Sequence, residues 1–284
     1  MTQRFFIFDA RGTTEPYEGN MLGHVIALVR RAHPDVRVEH VVHAASISLN
    51  NATRDPLAPS GNNSANQIVA WLRARIAQLG PDDRYIVLGY SLGAVGTARH
   101  LKLYGGDHRC LMYGHIASPS RRAGTIYGLP EGLDHNPMTR ANDRRSGIYA
   151  TQGTGTAVHS LGTAVPLVEI ANPSDVMTSC PAVSPLHAFA GPVMAFDFRR
   201  PGDLVEQLRE GGIEGIVENL ANVGNWANPR WWTWIGDLAA FMQRTHTLDY
   251  GLPMWRDSAN RPVSGIELLA RQIAWRISRE KAIA

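Results

Sequence analysis

Residues 85–104 read as a buried strand passed directly to a helix across a serine. Tyr85-Ile86-Val87-Leu88 is a continuous β-prone apolar run, Gly89-Tyr90-Ser91-Leu92-Gly93 follows it, and Ala94, Val95, Ala98, Leu101 and Tyr104 then recur at helical spacing. A chain that leaves a strand and enters a helix with no loop between them must turn sharply, and small residues on both sides of Ser91 keep such a turn free of side-chain overlap. This is the G-x-S-x-G nucleophile-elbow pattern, in which backbone strain lifts the serine hydroxyl clear of the sheet. Glycine and serine are common, so the pentapeptide alone says little. The strand before it and the helix after it make it a constraint on the whole fold.

The rest of the amino-terminal half agrees with a parallel sheet covered on both faces, because strand-like and helix-like segments alternate. Arg4 to Phe8 reads as a first strand, and a turn through Asp9-Ala10-Arg11-Gly12-Thr13-Thr14-Glu15 leads to a helix over Met21 to Ala32. Val36 to Val42 reads as the second strand, Ser48 to Asn63 as a polar loop, and Ile68, Leu72, Ile76 and Leu79 as the inner stripe of a helix. Cys110 to Tyr113 is a further strand, followed by an irregular region from Ala117 to Gly162, then a strand over Val165 to Ile170 that turns at Ala171-Asn172-Pro173-Ser174-Asp175. With 284 residues, 44% of them hydrophobic, the chain is long enough for one sizeable core and an appended subdomain.

That subdomain is expected at 201–242, inside a catalytic domain of 1–200 and 243–284. Leu204, Val205 and Leu208 suit one helix, Ile213, Ile216, Val217 and Leu220 a second, and Trp234 to Met242 a third. Trp226, Trp231, Trp232 and Trp234 crowd into it, either as its core or as the apolar wall of a lipid-binding groove. A final helix over Ile266 to Arg279 returns to the main domain. The overall expectation is an α/β three-layer sandwich of the α/β-hydrolase kind, with a central parallel sheet and a helical insertion.

Composition excludes several classes. A net charge of +3 without a long Lys/Arg run gives no nucleic-acid-binding face. Cys110 and Cys180 have no metal-site spacing and read as buried free thiols, so neither a metal nor a cofactor is expected. No apolar run is long enough to span a bilayer, and Met1-Thr2-Gln3-Arg4 enters the first strand too early for a secretion signal. Synthesis in the cytoplasm is the expectation.

A serine hydroxyl is a weak nucleophile at neutral pH, so Ser91 needs a histidine to take its proton and a carboxylate to orient that histidine. In this fold the acid and then the histidine follow the serine along the chain. Asp175 stands just past a sheet strand, on the edge where the elbow must emerge, whereas Asp134, Asp143, Asp197, Asp203 and Asp237 read as caps or solvated loop charges. Of the eleven histidines only His187 and His246 come after Asp175. Spacing alone does not separate them. The oxyanion needs backbone donors; the amide of Leu92 is one, and the turn at Gly12-Thr13 is placed to supply the other.

Phe8-Asp9-Ala10-Arg11-Gly12-Thr13-Thr14-Glu15-Pro16, Gly19-Asn20-Met21 and Leu88-Gly89-Tyr90-Ser91-Leu92-Gly93-Ala94 together resemble the cutinase-like serine esterases. Within them the chain is most similar to the mycobacteriophage lysin B enzymes, mycolylarabinogalactan esterases, since Ala117-Ser118-Pro119-Ser120-Arg121 looks like that family's Gly-Asn-Pro-x-Arg and a helical insertion follows the acid. The resemblance implies Ser91 as nucleophile, Asp175 as orienting acid, and Thr13 and Leu92 as oxyanion donors. It favours His246 as base over His187, because lysin B enzymes place the histidine beyond the insertion. It implies a substrate in which mycolic acid is esterified to arabinogalactan in the host envelope, attacked during phage lysis. Leu92 departs from the family's usual glutamine after the serine. The rivals are a general cutinase or lipase acting on other lipid esters, and a non-catalytic acyl-binding protein on a hydrolase scaffold.

Overall fold

The computed structural model describes residues 3–48, 50–55, 57–122, 145–149, 165–181, 186–195, 244–257 and 259–283. Five parallel strands form the sheet: β1 (Phe5–Ala10), β2 (Arg37–His40), β3 (Arg84–Tyr90), β4 (Cys110–Ile116) and β5 (Leu167–Ile170), in the order β2-β1-β3-β4-β5. Each strand has alternate side chains on opposite faces, so β1 sends Ile7 to one core and Phe6 and Phe8 to the other. Helices α1 (Met21–Ala32) and α5 (Gly265–Ile283) cover the first face, where Leu22, Val25, Ile26, Leu269 and Ile273 pack with Ile7, Ile86, Leu88 and Met112. Helices α2 (Gly61–Ile76) and α3 (Leu92–Tyr104) cover the second, where Ile68, Leu72, Ala98 and Leu101 pack with Phe6, Phe8, Tyr85 and Val87. Helix α4 (Leu186–Ala195) brings Ala190 and Met194 against Ala65, Leu92 and Val95. A small hairpin, β6 (Trp255–Arg256) with β7 (Pro262–Val263), precedes α5.

Local chemistry sets most of the boundaries. The Asn20 side chain accepts the Gly23 N–H at 2.8 Å to cap α1, and Pro34 stops that helix because the residue before a proline is driven out of the helical region. Ser60 caps α2 through Asn63, which starts the helix at Gly61, earlier than the loop expected through Asn63. At α5 the capping is reciprocal: Ser264 Oγ accepts the Glu267 amide at 3.1 Å and Glu267 Oε2 accepts the Ser264 amide at 2.9 Å. β2 is shorter than the Val36 to Val42 expectation because it is an edge strand with no fully buried residue, and β4 is longer because both β3 and β5 pair with it from Tyr113 as far as Ile116. The α4 helix and the β6-β7 hairpin carry little sequence signal: Gly191 and Pro192 stand within the continuous first, and the second is only two residues per strand.

Strand order reverses at β1, with β2 on one side and β3 on the other. In open α/β sheets the crevice beyond the carboxyl ends of two such strands is where ligands bind. The loop after β1 and the elbow after β3 both emerge there. With helices on both faces and a serine at the β3-α3 corner, this is the three-layer α/β-hydrolase sandwich. The subdomain expected at 201–242, its tryptophans Trp226, Trp231, Trp232 and Trp234, and residues 123–144 of the irregular region lie outside the described residues.

The elbow is possible only with glycine at 93. A Cβ there would overlap the carbonyl oxygen of Ala10, because the first turn of α3 lies directly on the end of β1. At Gly89 a Cβ would come within 2.6 Å of Ala94 Cα. Gly93→Ala is therefore expected to force β1 and α3 apart and lower stability by at least about 1–3 kcal/mol, the usual cost of overpacking a well-filled core. Thermal melts check this, and a melting temperature equal to that of the parent protein would contradict the packing.

Candidate active site

Ser91 sits at φ 51° and ψ −117°, a strained backbone conformation between β3 and α3. Its amide donates to Ile116 O at 3.2 Å and its carbonyl accepts the Val95 N–H at 3.2 Å, so strand and helix hold the turn from both ends. Ser91 remains partly exposed while Gly89, Tyr90, Leu92 and Gly93 around it are buried.

His246 closes a helical stretch described over 244–246, from which the chain loops at Thr247 into a short 3-10 turn over Leu248–Gly251. Its Nε2 lies 2.8 Å from Ser91 Oγ and its Nδ1 2.8 Å from Asp175 Oδ2. An ionised carboxylate can only accept, so Nδ1 carries the proton and Nε2 is left to accept from the serine hydroxyl. Tyr90, the residue before the serine, fixes the loop: its hydroxyl donates to His246 O at 3.0 Å and lies 3.0 Å from Thr247 Oγ1. Its ring also packs against the imidazole, with centroids 5.7 Å apart.

Asp175 is fully buried, in a turn directly after β5. An unpaired carboxylate there would be very costly, and the turn supplies its compensation. Oδ1 accepts the Met177 N–H at 3.0 Å, while Oδ2 accepts Thr178 Oγ1–H at 2.9 Å and the Tyr250 hydroxyl at 3.1 Å as well as the imidazole. Asn172 joins this turn to the histidine loop: its side-chain amide donates to Thr245 O at 3.0 Å and Asp249 Oδ2 at 3.1 Å. The buried guanidinium of Arg121 braces the same turn from below by donating to Thr178 O at 2.8 Å.

His187 is elsewhere. It lies on α4 with Nδ1 3.1 Å from Ile148 O and Nε2 3.1 Å from Pro181 O, so both ring nitrogens face main-chain carbonyls and neither is directed to Ser91 or Asp175.

Gly93 seats the start of α3 on the backbone of Ala10 and Arg11, just before Gly12 and Thr13 in the β1-α1 loop. Two contacts from Glu15 shape that loop: Oε2 accepts the Gly12 N–H at 2.7 Å and Oε1 the Met21 N–H at 3.0 Å. Burial pushes the Glu15 carboxyl above the usual range, against the pull of those two amides, Arg11 and His246. Thr14, at φ 66°, donates its amide to Ala45 O. Among the described residues no hydrogen bond takes up the amide of Thr13 or of Leu92. Unengaged backbone N–H groups aimed at the reacting carbonyl oxygen are what an oxyanion requires.

The same loop is underlain by His43, whose ring lies between Val41 O and Arg11 O and whose ionisation burial pushes down to about 4. His100, buried against Tyr113 on the far face of the sheet, is likewise pushed down to about 4 by burial. The unfolded chain takes up these two protons near the ordinary value of 6.5 and the folded chain does not until about 4. Stability is thus fully present above the unfolded value and is lost as pH falls through this window, by up to about 1.4 kcal/mol per pH unit for each histidine. Melting temperatures are expected to drop between pH 7 and pH 4.5, and His100→Gln to flatten the slope; a flat profile in the parent protein would contradict this.

Six residues that hold this site have no role assigned by the sequence: Tyr90, Asn172, Thr178, Tyr250, Arg121 and Glu15. Tyr90, Glu15 and Arg121 stand inside the resemblance motifs and Asn172 inside a strong turn sequence, whereas Thr178 and Tyr250 carry no signal; the link from Asn172 to Thr245 spans 73 positions. Cys110 and Cys180 are both buried and are not bonded to one another. Among the described residues no group of three or more His, Cys, Asp or Glu could hold a metal ion, and no helix is long and apolar enough to cross a membrane.

No family model matches the chain, and no curated protein matches it. Among solved structures it is similar to a cutinase-like protein from Cryptococcus sp., at 18% identity over 72% of this chain and 95% of that one, with a TM-score of 0.46. It is also similar to the catalytic core domain of acetyl xylan esterase from Trichoderma reesei, at 17% identity over 73% and 98% of the two chains and a TM-score of 0.43. A putative YdeN-like hydrolase from Pectobacterium atrosepticum aligns at 12% identity over 62% and 68%, with a TM-score of 0.32.

Proposed function

We propose that the protein is a serine ester hydrolase in which Ser91 is the nucleophile, His246 the general base and Asp175 the orienting acid. One observation carries the reading: the continuous hydrogen-bonded chain from Ser91 Oγ through His246 to Asp175, 2.8 Å at each link, at a serine with a strained backbone. In the forward step the Ser91 proton passes to His246 Nε2 as Oγ bonds to the acyl carbon. The carbonyl oxygen becomes an oxyanion and is met by the amides of Thr13 and Leu92. The imidazolium, held by Asp175, returns the proton to the leaving alcohol. Water then repeats the sequence on the acyl-enzyme and frees the acid.

The substrate in this reading is a lipid ester, and specifically the ester of mycolic acid with arabinogalactan in a host envelope, cut during phage lysis by an enzyme made in the host cytoplasm. Two things support it: the motif resemblance at residues 8–16, 19–21, 88–94 and 117–121, and the exposed apolar side chains of Leu248 and Leu252, which follow His246 in the chain. The tryptophans of 226–234 would line the groove for the acyl chain. A fluorophosphonate probe is expected to label Ser91 covalently and to leave Ser91→Ala unlabelled. Purified mycolyl-arabinogalactan is expected to release free mycolic acid. Turnover of p-nitrophenyl esters and triglycerides without mycolate release would make the protein a general lipid esterase. Absence of any probe adduct on the parent protein would make it an acyl-binding protein without catalysis.

A further inference from the structure

We infer that Tyr250 and Thr178 are positioning residues that set how strongly Asp175 holds the protonated imidazole of His246. The inference rests on the catalytic reading above. Its observation is that one carboxylate oxygen, Oδ2, takes three donors: His246 Nδ1–H at 2.8 Å, Thr178 Oγ1–H at 2.9 Å and Tyr250 Oη–H at 3.1 Å. The Tyr250 oxygen accepts the Asn172 N–H at 3.0 Å and lies 3.4 Å from Thr178 Oγ1, so Asp175 Oδ2, at 3.1 Å, is the nearest acceptor for the phenol's own proton. Its ring is fully buried and stacked on Trp255, with centroids 5.6 Å apart. Burial also holds the phenol well above its ordinary ionisation, so it stays a neutral donor.

Two consequences follow from charge and geometry. Donors on Oδ2 fix the carboxylate's rotation, so that this oxygen rather than Oδ1 faces the ring. They also disperse its negative charge, and a carboxylate with its charge shared among hydrogen bonds attracts an adjacent cation less. A base bound too tightly to its acid would be slow to return its proton to the leaving alcohol. The two hydroxyls therefore keep the imidazolium acidic enough to act in the second half of each step. Among the described residues the other charged or titratable groups near His246 are Glu15 from the β1-α1 loop and Tyr90 from β3, with the Arg244–Asp249 pair on its own segment of chain. Neither substitution below alters any of them.

The test is a titration of the His246 ring by nuclear magnetic resonance, its signal assigned by its loss in His246→Gln. Tyr250→Phe keeps the stacked ring and removes one donor; Thr178→Val keeps the shape and removes the other. Each is expected to raise the midpoint of the His246 titration by about half a pH unit, while Thr178→Ser, which keeps the hydroxyl, titrates as the parent protein does. In ester turnover the acid limb of kcat/KM moves up by the same amount, with kcat lower and KM unchanged. A merely structural role would lower the melting temperature and leave the midpoint in place. Should Tyr250→Phe not fold, the Thr178 pair reads the same quantity. Unshifted midpoints in the folded variants, or an equal shift in Thr178→Ser, would overturn the inference. The midpoints are independent of turnover, so an unlabelled Ser91 would remove the catalytic reading while the effect of the hydroxyls on His246 still stood or fell by itself.

Discussion

Replacing Ser91 by alanine is expected to lower ester turnover by about 10⁶-fold, with the melting temperature nearly unchanged. The size follows from what the hydroxyl does. Without Oγ there is no acyl-enzyme, and the base and acid that act through Oγ are left without a substrate-facing partner, so their contributions vanish together. What remains, on the proposed mechanism, is the pair of oxyanion donors assigned to Thr13 and Leu92, which would still polarise a bound ester's carbonyl. That residual should stand about 10³–10⁴ above uncatalysed hydrolysis. The melting temperature should hold because Ser91 is not a buried polar group, and its backbone bonds to Ile116 and Val95 do not involve the side chain. The φ of 51° is less well tolerated by alanine than by glycine, but serine bears the same Cβ, so the substitution adds no strain. A p-nitrophenyl ester assay decides the matter; retention of near-parental activity would remove Ser91 from the chemistry.

The second large effect separates two histidines. His246→Ala is expected to reduce kcat by about 10⁴–10⁶-fold, because no other described side chain reaches Ser91 Oγ to accept its proton. His187→Ala should behave in the opposite way. It removes a ring that links α4 to the carbonyls of Ile148 and Pro181, and the loss is one of stability, about 1–3 kcal/mol, with turnover per folded molecule largely preserved. Measuring both quantities on both variants makes the assignment symmetric. If His187→Ala were the inactive one and His246→Ala the merely destabilised one, the base would have been misplaced. If both kept their activity, Ser91 would have to be activated by a group outside this chain of hydrogen bonds.

The legible part of this protein was the part written in short-range pattern. β3 and α3 follow from a continuous apolar run and a helical stripe. The strands β1, β4 and β5 follow from their apolar composition, and the acid turn from Asn172-Pro173-Ser174-Asp175. The boundaries that moved were those set by partners. β2 shortened because an edge strand has a neighbour on one side only, and α2 began early because Ser60 caps it. The helix α4 carries Gly191 and Pro192, which disguise its pattern, and was missed. At the site, the order of Ser91, Asp175 and two candidate histidines could be read from the chain. The choice between the histidines by spacing could not.

Local preferences dictate that a serine stands at a strand-to-helix corner of a parallel sheet, since the residues concerned are neighbours. Which imidazole meets that serine, and what holds the carboxylate behind it, depends on the folded arrangement. His246 is 155 positions from Ser91 and 71 from Asp175, and Tyr250 is 75 from the oxygen it donates to. Contacts over such separations depend on how β3, β5 and the loop before α5 converge, and that convergence is set by sheet order and packing, which no local run of residues encodes.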